Sequence, residues 1–153
     1  MKISAQLSVA AAIVALVGLS GAAIAQDTTG PQVDRHTMME QVGETTGVLA
    51  AMARGEADYD PRAAIVGMRL YRAVGAALPY MFPEGSETGN DTRAASAIWS
   101  DMAGFVAAAN KFEADATANI ATAGTGLEAF QAAFGAVAQN CRACHETYRT
   151  PRN

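Results

Sequence analysis

Apolar residues recur at steps of four and three through four separate stretches of this chain. Three or four residues carry a helix once around, so each stretch presents one apolar stripe that must be buried against another element. In the first, from about residue 33 to 54, the stripe is Arg35, Met39, Val42, Thr46, Leu49 and Ala53, and Gly55 supplies the stop. The second opens at Asp60-Pro61, a cap followed by a proline suited to the first helical position. Its stripe is Ile65, Met68, Arg72, Gly75 and Leu78, with Pro79 as terminator. A Pro- and Gly-containing loop runs from Tyr80 to Asp91. The third stretch starts near Asp91 or Thr92 and continues through Ile98, Met102, Phe105, Ala109, Phe112 and Ala116. Gly124 and Gly126 break it from the fourth, where Leu127, Phe130, Phe134, Val137, Cys141, Cys144 and Tyr148 repeat without a slip. No segment reads as a strand. Four amphipathic helices with mostly short links predict an all-α fold, an antiparallel four-helix bundle. The abundance of alanine agrees with this, because Ala costs least to hold in a helix.

Residues 1–25 read differently. Met1-Lys2 is followed by an apolar run through Leu19 and by the small residues Ala23-Ile24-Ala25, the pattern of a cleavable export signal. Ser8, Gly18, Ser20 and Gly21 interrupt the run, which disfavours the alternative of a retained anchor. The expected organisation is a signal peptide over 1–25 and one domain over 26–153, released into the periplasm and free of the membrane after cleavage. The formal net charge of −4 and the lack of clustered basic residues exclude a nucleic-acid footprint.

The chemistry concentrates at Cys141-Arg142-Ala143-Cys144-His145, a C-x-x-C-H motif. Residues three apart share a helix face, so both thiols can add to the two vinyl groups of one porphyrin. His145 follows directly, and its neutral imidazole can bind the iron as an axial ligand. Zinc would need about four ligands, and a thioredoxin-like site would need a βαβ setting. A Cys141–Cys144 disulfide is the remaining alternative if haem is not attached. The expected cofactor is one covalent haem c. A flat macrocycle needs an apolar slot between helices. Phe134, Val137, Tyr80 and Phe82 are candidates to line it, with ordinary core packing as the other role for Phe134 and Val137.

The chain resembles the cytochrome c′ family, including its low-spin Met-ligated relatives. The resemblance runs from about residue 33 to 149. It rests on the C-terminal motif with Tyr148-Arg149, on Leu78-Pro79-Tyr80-Met81-Phe82-Pro83, on Ala97-Ile98-Trp99, and on Arg35 with Met39 one turn later. It implies a periplasmic four-helix bundle with covalent haem, often a homodimer. It implies that Arg35 lies in the haem pocket near a propionate, that Thr92 touches the haem, and that Met39 faces the distal side of the iron. Arg149 would lie close to the proximal histidine. His36 stands where the family often has Gln, and Arg93 where some members have an acidic residue.

Met39 leaves two states open. Ligated through its thioether, the haem is six-coordinate and low-spin, and the protein is an electron carrier working with redox partner proteins. With Met39 only packed above it, the iron is five-coordinate and takes NO or CO. Met38, its neighbour, must point elsewhere on the helix. Peroxidase chemistry would want a distal base that Met39 does not supply, so no enzymatic role is expected. Arg149, four residues after His145, shares its face and can tune the imidazole or assist the helix dipole. Val48, Met52 and Val66 are the candidate apolar surface of a homodimer.

Overall fold

The computed structural model describes residues 29–151, so the expected signal segment 1–25 lies outside the described residues. Five helices follow in order: α1 (Pro31–Ala53), α2 (Pro61–Ala77), the short α3 (Ala97–Ser100), α4 (Met102–Asn119) and α5 (Leu127–Tyr148). The four long ones form the bundle. α1 packs on α2, α2 on α4, α4 on α5, and α5 closes the ring on α1. Single 3-10 turns at Leu78–Tyr80 and Thr122–Gly124 finish α2 and precede α5.

Local chemistry sets the ends. Pro31 occupies the first turn of α1, where its missing N–H costs nothing. Gly55, at φ 73°, takes the left-handed conformation that closes α1, its N–H donating to Met52 O at 3.1 Å. Asp60 caps α2 by accepting from Arg62 N at 2.8 Å.

The core is a column of Leu49, Met68, Tyr71, Ile98, Phe105, Phe112, Phe130 and Val137. α2 and α4 approach closely because Gly75 faces the backbone of Glu113, where an added Cβ would lie 2.7 Å from Glu113 N. Gly67 likewise admits the Leu49 side chain between α1 and α2.

Three expectations need correction. Arg72 is exposed, and the inner stripe of α2 is Ala64, Met68, Tyr71, Val74, Gly75 and Leu78. Tyr71 takes that turn because its ring fits against Phe112 at 5.8 Å while its hydroxyl pairs with Thr46 Oγ1 at 2.7 Å. The third helix does not begin at Asp91 or Thr92. Asn90 and Asp91 have positive φ, the 94–95 backbone pairs with the segment after α5, and Asp101 is the cap, accepting from Gly104 N at 3.1 Å. Met52 is 2 % exposed and belongs to the core, whereas Val48 and Val66 are exposed as expected.

Candidate haem site

Helical geometry places Cys141 and Cys144 on the face of α5 that looks into the bundle, one turn before its end. Both are half-buried and packed against the core. They line a cavity with His145 and Asn140 from the same helix. Met39 and Val42 close it from α1, Val74 and Leu78 from the end of α2, and Ala108, Ala109 and Phe112 from α4. Every wall but that of α5 is apolar, which suits a flat macrocycle. The two thiols and one imidazole emerge on one side, and a single thioether comes from α1. The donor set therefore fits a haem joined at two sulfurs and ligated by a histidine. Among the described residues no group of three or more His, Cys, Asp and Glu could hold a bare metal ion.

Burial pushes both thiols up from their ordinary range, that of Cys144 also through its neighbour Cys141. His145 sits at the cavity mouth. Partial burial, and then the charges of Arg149 and Arg93, lower its pKa and favour the neutral imidazole an iron needs. Met38 packs on the core but stays out of the cavity, so the two adjacent methionines divide as a helix requires.

The remaining candidates fall into four places. Arg35 is 6 % exposed, and its guanidinium reaches across to the loop after α2. It donates to Met81 O at 3.0 Å, to Ser86 Oγ at 2.9 Å, to Ser86 O at 2.8 Å and, at 3.5 Å, to Thr92 Oγ1. It also lies over the Phe82 ring at 4.6 Å, and Phe82 packs edge-on against Phe105 and Trp99. Arg35, Thr92 and Phe82 thus form one cluster beside the cavity rather than in its lining. Burial lowers the Arg35 pKa against the opposing field of Glu87. His36 points to solvent and meets Glu40 at 3.2 Å. Tyr80, expected to pack on something large, is 86 % exposed, because the 3-10 turn rotates it outward while Leu78 goes in. Phe134 stacks on Phe130, and Val137 is wholly buried, the core roles.

Arg149 is exposed in a second, shallow cleft with Arg93, Arg142, Glu146 and His145. An isolated β-bridge between Ala94 and Arg149 holds its walls together, with Thr150 N donating to Arg93 O at 2.9 Å.

Sequence reasoning missed Asn140. Its side chain is buried beside Cys141 and donates to Asp115 Oδ2 at 2.8 Å and Val137 O at 3.2 Å, tying α5 to α4 at the cavity. The signal was there: Asn140 is a polar residue three after Val137, on the buried face.

Four helices closed around a pair of thiols and an adjoining imidazole define a c-type cytochrome of the bundle class. The family model described as Cytochrome C′ matches residues 31–149. Cytochrome c-556 of Agrobacterium tumefaciens (strain II Chrys) is 37% identical over 115 residues, 75% of this chain and 93% of that protein. Cytochrome c′ of Rhodopseudomonas palustris is 36% identical over 144 residues, 94% of this chain and 97% of the relative. A solved structure of cytochrome c′ from Rhodopseudomonas palustris superposes with a TM-score of 0.77 at 34% identity, covering 82% of this chain and 99% of the other. The chain belongs to the cytochrome c′ family, and its cofactor is haem c, covalently bound.

Proposed function

We propose that this protein is a periplasmic one-electron carrier whose haem is joined to Cys141 and Cys144, ligated by His145 and faced by Met39. The observation that carries the reading is the shared cavity: Met39 from α1 lines the same slot as Cys141, Cys144 and His145 from α5. A thioether is the only side-chain donor that α1, α2 and α4 contribute to that slot. Thioether ligation favours ferrous iron and raises the potential, which suits a carrier. The haem supplies reversible ferric–ferrous exchange. The chain's part is to fix the ring by two thioethers, present a neutral imidazole, and keep water out with Val42, Val74, Leu78 and Phe112. Among the described residues no distal acid or base lines the slot, which supports the carrier reading over peroxidase-type chemistry.

A second reading has support in the same walls. Apart from Met39, α1, α2 and α4 offer only hydrocarbon, an environment in which a five-coordinate iron would take NO or CO. The relatives carry both kinds of name, cytochrome c-556 and cytochrome c′. The optical spectrum of the reduced, exported protein with and without CO separates the two. The carrier reading expects a sharp low-spin α band unaltered by CO. A broad high-spin Soret band that shifts at once under CO would replace it with the gas-binding reading.

Export through the segment 1–25, with cleavage after Ala25, is part of the proposal. The mass of the periplasmic protein tests it. No described helix is long and apolar enough to cross a membrane. Homodimerisation through exposed Val48 and Val66 is tested by sedimentation.

A further inference from the structure

The whole chain carries a net charge of −4, yet three guanidinium groups crowd one cleft at the end of α5. Arg142 comes from inside the C-x-x-C-H motif, Arg149 from just beyond the helix, and Arg93 from the segment before α3. The backbone brings the last two together. Ala94 and Arg149 form an antiparallel bridge, Ala95 N donates to Tyr148 O at 3.0 Å, and Thr150 N donates to Arg93 O at 2.9 Å. Among the described residues Glu146 is the one carboxylate lining the cleft, and it is engaged by Arg142 Nε at 2.7 Å. The cleft therefore stays positive, since arginine does not shed its proton to relieve crowding. Its opening is broad and solvent-facing, with the Arg142 side chain 84% exposed.

His145 is the residue shared by this cleft and the apolar slot. A body seated among the arginines would lie one imidazole away from the iron. We infer that the Arg93–Arg142–Arg149 cleft is the docking face for an acidic redox protein, which exchanges electrons with the haem past His145. This inference rests on the electron-carrier reading. An extended polyanion fits less well, because beyond the cleft it would meet the acidic remainder of the chain. A protein with a compact group of surface carboxylates matches both the size and the sign of the patch.

The test uses the haem-loaded protein and two electron donors. Flavodoxin, with its flavin as the anionic hydroquinone, is an acidic protein donor: one electron passes to ferric iron, leaving ferrous iron and the neutral flavin semiquinone. Photogenerated lumiflavin semiquinone is a small neutral donor: it gives one electron to the iron and one proton to water, leaving oxidised flavin. With flavodoxin the rate constant should fall steeply as salt is raised. At low ionic strength Arg142→Glu should lower it about tenfold, and Arg93→Gln, which keeps a donor for Thr150 O, by about threefold. Arg142→Glu should react with lumiflavin as the parent does. A flavodoxin rate indifferent to salt and to both substitutions, with lumiflavin still reducing the haem, would overturn the docking face and leave the carrier reading standing. Equal losses with both donors would assign the arginines to the haem environment and also overturn it. A parent haem reduced by neither donor would remove the carrier reading and this inference together.

Discussion

Replacing Gly75 by alanine adds one methyl group at the closest approach of α2 and α4. The new Cβ would lie 2.7 Å from Glu113 N, 2.9 Å from its Cα and 2.9 Å from its Cβ. Two of those atoms are backbone in mid-helix, so no side-chain rotation relieves the overlap and the helices must separate. Overpacking of this kind costs about 1–3 kcal/mol. Alanine returns roughly 0.5–1 kcal/mol through its better helix propensity. The net expectation is a loss of about 1–2 kcal/mol, or a melting temperature lowered by roughly 3–8 °C for a domain of this size. Gly135→Ala is the internal control. It lies within α5 with no atom within 4 Å of an added Cβ, so only the propensity gain applies and it should melt slightly higher. Thermal denaturation of both haem-loaded variants by circular dichroism reads the difference. If Gly75→Ala melts as high as Gly135→Ala, the close helix crossing that positions Val74 and Leu78 against the slot is wrong.

The other expectations concern the cavity and its neighbours. Met39→Ala removes the one thioether facing the slot from α1, and on the carrier reading it should convert a CO-indifferent protein into one that binds CO immediately, read by the Soret shift. Arg35→Met leaves the carbonyls of Met81 and Ser86 without their donor, which should cost about 2–3 kcal/mol and speed amide exchange across residues 81–92. Tyr71 is buried, and its pKa is pushed up to about 12, chiefly by desolvation, with Thr46 opposing. The folded state thus holds the phenolic proton more tightly than the unfolded chain. Its contribution of about 3 kcal/mol is complete below pH ~10 and is lost as pH climbs toward ~12. Alkaline titration of Tyr71→Phe, followed by tyrosinate absorbance and circular dichroism, should show a shallower loss of stability over that window.

Much of the bundle was legible because helical periodicity records burial directly. Phe105, Ala109, Phe112 and Ala116 repeat at 4-3-4 and are all buried on α4. The C-x-x-C-H motif located the chemistry because its spacing forces two thiols onto one helix face. What escaped depends on contacts distant in sequence. The segment 91–96 carries good capping residues, yet its backbone is claimed by Tyr148, Arg149 and Thr150, more than fifty residues away. Arg72 has a long hydrocarbon stem that passes for an apolar residue in the pattern, while Tyr71 fills the position through its ring and a hydroxyl partner on another helix. Arg35 stood on the inner stripe of α1 in the sequence, but its grip on the 81–92 loop needs the folded loop to be seen.

Whether haem stays with the chain after denaturation and solvent extraction tests the account most directly. Exported protein should retain its colour through that treatment and gain the mass of one haem, and a Cys141→Ser, Cys144→Ser double variant should lose both. Colourless material carrying a Cys141–Cys144 disulfide, or haem that washes free, would contradict it.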